Sequence, residues 1–569
     1  MPTPLRSPPA AAGLLRRLRR VRSSFGAAAE SDKRQLLAAL AGCRLRSLRQ
    51  LTDYHEDLLF LCAFPGEPAT RRLALRELAE FSRRWRHVPQ AIRQAAEGSG
   101  IAGTVSRPLL AWPLVRELVI DEDIDLDLAG MEDPAAFDAL LARLVSPAEQ
   151  EAFDSGDYSA AQWLALARPH DERALTWLAR AGAEGPRAAE FAAAWDAAEV
   201  AVAWRLHDSR RAITHARLPA PRRPGRQGWR RLEGPAAEHI VRPLEPVRRL
   251  PPREATRVIG LARAALAARC REVHAMNHPN LREVHLADLG EGVELAVIGV
   301  VPAQRLLLEA NYGYLLLSHG LPIGYGGVSP LFRQANTGIN IFDPYRGSEA
   351  AFLWAQMLRA FRTLFGIRRF IINGYQFGAG NSEAIASGAY WFYFRLGFRP
   401  SVKDNVALAA EEADRLRRQP GTKTPAAVLR RLARGDLHLD LADFDSDDAF
   451  EESLLTRLGA VVARRLAQSG AGSHHAGERA LVRLVRQALG GRDSARWPAA
   501  EQAGFARLAP YASLLDLGAW SERERIALAH WLRSKGAVVE QEFAVGAGAQ
   551  PRFFSELRAL ARAEVQRPA

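Results

Sequence analysis

The hydrophobic pattern of the first part of the chain has the period of a helix. Between residues 31 and 215, apolar residues recur at three- and four-residue spacing, as in ALRELAEFSRRW and AAEFAAAWDAAEVAVAWRLHD. This spacing places apolar side chains on one helical face, and the segments EGSGIAG and AEGPRAA interrupt it with glycine and proline. We therefore expect a helical domain over residues 31–215.

One stretch of this region, LVIDEDIDLDLAG, has a different period. Asp121, Asp123, Asp125 and Asp127 alternate with apolar residues, which is the pattern of a strand with one solvated face. A calcium loop needs glycine for its sharp turn at the position where Leu126 stands. The stretch is therefore predicted to be an alternating strand or an acidic loop.

A proline- and arginine-rich segment, LPAPRRPGRQGWRRLEGP, separates the helical region from the middle of the chain. Prolines and glycines at that density prevent regular structure, so residues 216–253 are predicted to be a linker. The helix-like ATRVIGLARAALAARCREV follows, and then the strand-like runs VHLADL, VELAVIGVV, YGYLLLSHGLPIGYGGVSPLF and TGINIF. Helix, hairpin strands and then strand-helix-strand-helix predict an α/β domain with a mixed sheet over residues 254–415.

The chain beyond residue 415 returns to a helical pattern, so residues 416–569 are predicted to form a helical C-terminal domain. Its segment AQSGAGSHHAGER reads as a flexible connection that carries His474 and His475. Only Glu478 accompanies the two histidines as a third ligand type, so we expect no metal site.

The distribution of basic residues indicates whether the protein could bind nucleic acid. The net charge is +13, and arginines cluster at Arg16–Arg22 and between Arg217 and Arg231. Residues 1–30 hold arginines without a long apolar stretch, which predicts a disordered basic arm and not a secretory signal. Solvated segments explain both clusters best, and contact with nucleic acid remains the alternative.

The cysteines bear on the cellular compartment. Cys43, Cys62 and Cys270 lie far apart, which argues against a disulfide framework and against a zinc site. No run of 18 apolar residues occurs, so no membrane-spanning helix is expected. These features predict a cytoplasmic protein without a membrane partner.

The stretch DPYRGSEAAFLWAQMLRAF combines a turn and a buried helix. TGINIF precedes it as a strand, and the helix runs on until Gly366. A strand that passes through a glycine-containing turn into a helix presents backbone N–H groups and the positive end of the helix dipole to an anion. Every buried strand-helix unit shares this geometry, so the turn alone indicates no function.

A second motif gives the turn a context. The strand IRRFIING follows the helix, and GNSEAIASGAYWFYFRLGF then ends in Tyr393-x-x-x-Gly397-Phe398. An Arg-Gly turn followed at this distance by asparagine and by such a tyrosine resembles the GNAT acyltransferases, over residues 254–415 only. The resemblance implies a GNAT-like mixed sheet between helical flanks, with two strands that splay apart around the pantetheine arm of acetyl-CoA.

The resemblance also assigns residues. It implies that Tyr393 protonates the departing thiolate and that the turn amides hold the pyrophosphate. Asp343, at the end of the strand, is a candidate general base, although aspartate before proline is also a good turn residue. The residues implied to bind the cofactor are Ile341, Arg346, Gly347, Ser348, Glu349, Ala350 and Asn381.

Two positions depart from the family pattern. Asn381 stands further from Tyr393 than in the family, which requires an insertion between them. Glu349 stands where the family has the glycine that lets the backbone approach the phosphates. A carboxylate there favours the helix dipole but repels a pyrophosphate, so Glu349 turns to solvent, pairs with Arg346 or marks a site that has lost CoA. Tyr393 also belongs to the aromatic run AYWFYFRLGF, and such runs are usually core.

Two functions follow from these motifs. The first is an N-acyltransferase that uses acetyl-CoA or another acyl-CoA and a small-molecule or peptide amine as acceptor. The alternative is a non-catalytic or differently liganded GNAT-like module that binds a partner such as nucleic acid through its basic helical flanks. Glu309 and His319 are further candidates for the general base, because an amine must lose a proton before it attacks a thioester.

Overall fold

The computed structural model of the chain describes residues 11–121, 123–131, 133–154, 156–183, 187–207, 210–220, 225–347, 349–469, 472–490 and 496–564. Ser348 of the predicted phosphate turn lies outside these residues. No helix among them is both long enough and apolar enough to cross a membrane.

The helices are α1 (Ala11–Val21), α2 (Ala27–Ala41), α3 (Leu48–Ala63), α4 (Pro68–Ala79), α5 (Gln90–Ala95), α6 (Trp112–Val119), α7 (Pro134–Leu141), α8 (Gln150–Asp154), α9 (Ala160–Ala167), α10 (Ala174–Ala181), α11 (Ala188–Ala197), α12 (Ala236–Ile240), α13 (Pro252–Ala267), α14 (His274–Asn277), α15 (Ala350–Phe365), α16 (Ser382–Ser387), α17 (Ala389–Arg395), α18 (Lys403–Arg418), α19 (Ala426–Leu432), α20 (Ser453–Ala467), α21 (His474–Ala488), α22 (Ala499–Ala512), α23 (Glu522–Ser534), α24 (Gln541–Ala547) and α25 (Pro551–Glu564). The strands are β1 (Val105–Ser106), β2 (Asp125–Met131), β3 (Val200–Arg205), β4 (Val247–Arg249), β5 (Pro279–Gly290), β6 (Val293–Val300), β7 (Tyr312–Ser318), β8 (Leu321–Leu331), β9 (Gln334–Thr337), β10 (Asn340–Ile341), β11 (Arg369–Ile372), β12 (Arg399–Pro400) and β13 (Leu437–Asp440).

A ten-stranded mixed sheet forms the centre of the described part of the chain. Its order is β12-β13-β11-β9-β8-β7-β6-β5-β4, and β10 pairs with β8. Neighbours run antiparallel except β9 and β11, which are parallel and are connected through α15. Strand β7 is buried at every residue, so both faces of the sheet are covered there. The chain is therefore an α/β protein with a mixed sheet, as the sequence predicts.

Helix α1 lies in the segment predicted to be a disordered arm. Leu14, Leu15 and Leu18 occupy one face of the helix and are at most 5% exposed, within the main hydrophobic core. The prediction is wrong for residues 11–30, which α1 and the start of α2 occupy, because three leucines at helical spacing outweigh the arginines between them. Residues 1–10 lie outside the described residues.

The predicted helical domain over residues 31–215 contains two cores. Helices of its first part join the core of the central sheet, whereas buried apolar residues between 102 and 212 form a second core around the sheet β1-β3-β2. Of the four alternating aspartates, Asp125 and Asp127 lie in strand β2, whereas Asp121 and Asp123 precede it, so the strand prediction holds only for the second half of the acidic stretch. Its Asp125 carboxylate pairs with Arg173 at 3.0 Å and with Arg205 at 3.1 Å, so the acidic face is neutralised by neighbouring arginines.

The predicted linker is built into the fold in residues 225–253. Strand β4 pairs with β5, and α12 packs beside α15. The backbone N–H of Arg226 donates to the Pro65 carbonyl at 2.9 Å, and the Arg226 residue is 1% exposed. The linker prediction is therefore wrong for these residues, because strand pairing, helix packing and the ion pairs of Arg226 and Arg230 with Glu349 build them into the fold.

The predicted boundary at residue 415 passes through the central sheet. Strand β13 lies beyond it and inserts between β11 and β12, where Arg369 and Asp440 face each other and form an ion pair of 2.6 Å. The rest of the C-terminal part is helical as predicted. His474 begins α21, whose N-cap Ser473 accepts from the Ala476 N–H, so the two histidines belong to a helix and not to a flexible connection.

Buried charges attach the C-terminal helices to the sheet. Lys535 contacts the Glu540 carboxylate at 2.6 Å, and Arg305 donates to the Lys535 carbonyl at 2.9 Å. Tyr312 of β7 donates to Glu283 of β5 at 2.8 Å, and that carboxylate also accepts from the Gln541 N–H. Burial lowers the pKa of Lys535 to about 8. Buried charges are tolerated only when they are paired in this way.

The packing of α1 gives a first prediction. Leu18→Ala should lower the free energy of unfolding by about 2–5 kcal/mol, because the side chain is fully buried and its removal leaves a cavity. Arg17→Ala, on the exposed face of the same helix, is the matched control and should change it by less than about 0.5 kcal/mol. Urea denaturation followed by circular dichroism measures both. Equal, small effects would mean that α1 is detached in solution.

Candidate active site

The strand-to-helix turn predicted from the sequence is present. Strand β10 runs antiparallel to β8, and a 3-10 turn, Asp343–Tyr345, leads to α15. The Phe342 N–H donates to the Ile323 carbonyl at 3.0 Å, and the Tyr345 side chain is buried against Phe64. These contacts fix the turn, so that the N-terminus of α15 faces the same region as the end of β10.

The two parallel strands separate beside this turn. Strands β9 and β11 pair from Gln334 to Asn336, and the chain then leaves β11 and pairs with β8 as β10. The hydroxyl group of Tyr314 donates to the Gly338 carbonyl within the separating segment. After Asn336 the chain therefore follows β8 and leaves β11. That this separation is the divergence implied by the resemblance stays a prediction.

Tyr393 lies against the segment that separates. It belongs to α17, is 3% exposed, and its ring packs against Trp354 at 6.2 Å and Phe398 at 5.9 Å. Burial raises the pKa of Tyr393, and an interaction with the backbone N–H of Ile339 acts in the opposite direction. The hydroxyl group thus keeps its proton at neutral pH and lies next to the backbone where β9 and β10 meet.

Asn381 has a structural role in the loop before α16. Its side-chain oxygen accepts from the Ala384 N–H at 3.0 Å as the helix N-cap, and its amide nitrogen donates to the Tyr375 carbonyl at 3.2 Å. Both ends of the side chain are therefore engaged inside the loop. Whether Asn381 also contacts a cofactor stays a prediction.

Arg346 bridges the turn and α16. Its guanidinium contacts Asp343 at 2.9 Å and Glu383 at 3.1 Å and donates to the Ile341 carbonyl at 3.3 Å. The side chain of Asp343 is 74% exposed. The candidate base is therefore open to solvent, and the arginine at the turn links two predicted site segments.

Glu349 does not contact Arg346 and does not turn to solvent. It is 3% exposed at the N-cap of α15, and its two oxygens accept from Arg226 at 2.6 Å and 2.8 Å. Arg230 donates to the same carboxylate at 2.8 Å. Burial by itself raises the pKa of Glu349, but the hydrogen bonds and charges of the two arginines outweigh it and lower the pKa below its ordinary value.

Arg226 and Arg230 are the site residues that sequence reasoning missed. The Arg226 guanidinium lies 5.2 Å from the Phe64 ring and 5.4 Å from the Trp229 ring, and that of Arg230 lies 4.5 Å from the Phe352 ring. The arginine cluster of the supposed linker was the available signal. It indicated an anion as partner, and the anion is a carboxylate of the same chain.

A pocket of about 210 Å³ opens at the start of α15. Its lining comes from α1 and the residues after it, α3, Trp229, β8, β10, the turn and the first residues of α15. The lining residues are Arg19, Arg22, Ser23, Phe60, Phe64, Trp229, Ile323, Ile341, Tyr345, Arg346, Gly347, Glu349, Ala350 and Leu353. Five described residues of the predicted cofactor set thus share one pocket, whereas Tyr393 and Asn381 do not line it.

The other two candidate bases lie elsewhere. His319 is 4% exposed and its Nδ1 contacts the Ala63 carbonyl at 3.0 Å. The Lys535 ammonium donates to the Glu309 carbonyl, and burial raises the pKa of Glu309 to about 7. Neither residue lines the pocket. Within the described ranges, no group of three or more His, Cys, Asp and Glu residues is arranged to hold a metal ion.

Comparisons of the chain with protein-family models, with curated proteins and with solved structures find no significant match.

The buried carboxylate gives a second prediction. Glu349→Gln should lower the free energy of unfolding by about 3–5 kcal/mol, because Arg226 keeps its buried charge without a counter-ion. Glu383→Gln, which breaks the half-exposed pair with Arg346, is the control and should cost at most about 1 kcal/mol. Urea denaturation of the two variants beside the wild type measures the difference, and similar effects for both would contradict the central role of the buried pair.

The same pair gives a third prediction, on pH. Because the pKa of Glu349 is lowered in the folded chain, its contribution to stability is complete above the ordinary value of 4.5 and is lost as the pH falls through the lowered pKa. The stability gap between the wild type and Glu349→Gln should therefore shrink with acidification below pH 4.5. Thermal unfolding over a pH series tests this, and a gap that widens on acidification would be the opposite of what we expect.

Proposed function

We propose that the chain is an acyl-CoA-dependent N-acyltransferase that acts on a small-molecule or peptide amine. The observation that carries the proposal is the position of Tyr393, which reaches the backbone of Ile339 where β9 and β11 diverge. In the GNAT enzymes that the chain resembles, the thioester end of the cofactor lies in such a divergence. The proposal thus rests on the proximity of α17, which carries Tyr393, to the segment between β9 and β10, which is distant from it in sequence.

The turn fits the phosphate end of such a cofactor in part. The pocket beside Arg346, Gly347 and Ala350 is smaller than the roughly 300–1,000 Å³ of common ligand sites, so it suits a diphosphate and not a complete CoA. The charge of Glu349 is compensated by Arg226 and Arg230. The repulsion expected from the sequence is therefore reduced, and the first turn of α15 retains its dipole.

The chemistry divides between the cofactor and the chain. Acyl-CoA supplies an acyl group activated as a thioester. Tyr393 holds its proton at neutral pH, since burial raises its pKa, and in this proposal it gives that proton to the leaving thiolate. Asp343, exposed beside the turn, is the candidate that takes the proton from the amine, directly or through a water molecule.

A non-catalytic module is the second candidate, and a specific observation favours it. Tyr393 is 3% exposed and packed among aromatic rings, so the strands must open before a thioester reaches it. The nucleic-acid version of this candidate has less support. Arg226 and Arg230 of the second cluster both pair with Glu349, which leaves them less available to phosphates of a nucleic acid.

The first test of the proposal uses Gly347, where a side chain meets no described heavy atom within 4 Å. Calorimetric titration should show that the wild type binds acetyl-CoA. Gly347→Asp should weaken this binding about tenfold, because it adds a negative charge beside the phosphates without a steric clash. Gly347→Asn is the neutral control and should bind nearly as the wild type does. An absence of acetyl-CoA binding by the wild type would defeat the enzymatic proposal.

The second test concerns turnover. Tyr393→Phe should lower kcat by about 10²–10⁴ with little change in acetyl-CoA affinity, because a proton donor to the leaving group acts mainly in the transition state. Tyr390→Phe changes a neighbouring tyrosine of α17 that is equally buried, and it should leave kcat nearly unchanged. Release of the CoA thiol with a panel of amines is the readout. Equal losses in both variants would indicate that Tyr393 is a core residue only.

A further inference from the structure

The pocket at the start of α15 takes part of its wall from outside the region that resembles an acyltransferase. Arg19 of α1 and Arg22, which directly follows α1, line it on one side, and Arg346 and Gly347 of the turn line it on the other. No sequence pattern predicts that these elements meet, since α1 lies in the segment predicted to be a disordered arm. The pocket exists only because α1 packs onto α3 and α3 packs against the turn.

The fully buried carboxylate of Asp57 fixes the positions of Arg19 and Arg22. Asp57 of α3 contacts Arg19 at 2.8 Å and Arg22 at 2.6 Å, and its side chain has no exposed surface. Burial raises the pKa of Asp57 to about 6 in spite of the two guanidinium groups. A buried carboxylate is unfavourable unless it is paired, so its presence fixes where Arg19 and Arg22 point.

The side chains that line the pocket carry a net positive charge, and each lining arginine is paired with acids of the chain: Arg19 with Asp53, Glu56 and Asp57, Arg22 with Asp57, and Arg346 with Asp343 and Glu383. The lining contains three arginines, Arg19, Arg22 and Arg346, and a single carboxylate, Glu349. Two further arginines outside the lining neutralise that carboxylate. The acids that hold the lining arginines, Asp57 among them, lie outside the lining as well. A ligand in the pocket therefore meets guanidinium groups, which prefer phosphate oxygens.

Aromatic side chains form the remaining wall. Trp229 lies 5.9 Å from Phe60 and 5.2 Å from Phe64, measured between ring centroids, and all three line the pocket. The Arg22 guanidinium lies 4.4 Å from the Phe60 ring, which limits its movement. A cavity of about 210 Å³ lined by three arginines and by four aromatic residues, Tyr345 among them, suits a diphosphate ester better than a purely apolar ligand.

We propose that α1 completes a binding site for the diphosphate of the acyl carrier, so that the N-terminal helix selects phosphate-bearing thioesters over phosphate-free ones. The proposal rests on the proposed function for the identity of the carrier. A nucleoside diphosphate carries the same chemistry and would use the same contacts. The titrations below distinguish the two sources.

The test compares four ligands by calorimetry on the full chain: acetyl-CoA, ADP, inorganic pyrophosphate and phosphate-free S-acetylpantetheine. Arg22→Met should weaken acetyl-CoA and ADP about tenfold or more, because hydrogen bonds to a charged group are lost, and should leave S-acetylpantetheine unchanged. Arg17→Met lies on the exposed face of α1, does not line the pocket, and should change nothing.

Arg22 also compensates Asp57, so folding of each variant is checked by circular dichroism. If Arg22→Met does not fold, Arg19→Met, whose side chain is 39% exposed, replaces it with the same expected loss. The wild type gives an independent readout, since rising salt should weaken acetyl-CoA binding by screening while S-acetylpantetheine is unaffected.

The outcomes separate this inference from the proposed function. Binding of acetyl-CoA that is indifferent to salt and to both arginine variants overturns the inference and leaves the acyltransferase proposal standing. Binding of ADP and pyrophosphate that depends on Arg22, without acetyl-CoA binding, supports the phosphate site and overturns the acyltransferase proposal. Binding of none of the four ligands overturns both.

Discussion

The carboxylate of Glu349 connects parts of the chain that are distant in sequence. It lies at the start of α15 and is held by Arg226 and Arg230, which belong to the segment that crosses from the N-terminal helices to the sheet. That segment is fixed in turn to the N-terminal helices, because the Trp229 indole donates to the Ser23 carbonyl at 2.8 Å. The orientation of the turn, the shape of the pocket and the position of α1 all depend on this buried ion pair.

The ion pair also changes what the turn can do. In an acyltransferase of the GNAT type, the positive end of this helix meets a phosphate of the cofactor. Here a carboxylate of the chain itself occupies the N-cap of α15, and its charge is balanced by arginines placed behind the pocket. The Glu349 side chain makes no hydrogen bond to the backbone N–H groups of the helix end. In the proposed phosphate site, the charged contacts come from arginine side chains outside the helix.

The sequence predicted the features that depend on local pattern. The mixed sheet, the turn at Asp343 and the last helix with Tyr393 follow from hydrophobic period and turn chemistry, which act over a few residues. The pairing of Arg226 with Glu349 joins positions far apart in the chain, and no local pattern reveals it.

Strand β13 was missed because it is short, and helix α1 was missed because it contains many arginines. Strand β13 has four residues, LHLD, and alternates too briefly to stand out from the helices around it. Helix α1 carried a readable signal, since Leu14, Leu15 and Leu18 recur at helical spacing, but the arginines between them favoured a disordered interpretation. Each error places a segment of the central core outside the predicted α/β domain.

The insertion of β13 between β11 and β12 has a consequence for biosynthesis. The chain emerges from the ribosome with its N-terminus first, so β11 emerges before β13, the strand that will pair with its free edge. Until residue 440 has emerged, β11 presents unpaired backbone groups, and such an edge is a template for association with other chains. The nascent protein thus passes through an aggregation-prone interval that the mature fold no longer shows, and chaperones that shield extended segments would act during that interval.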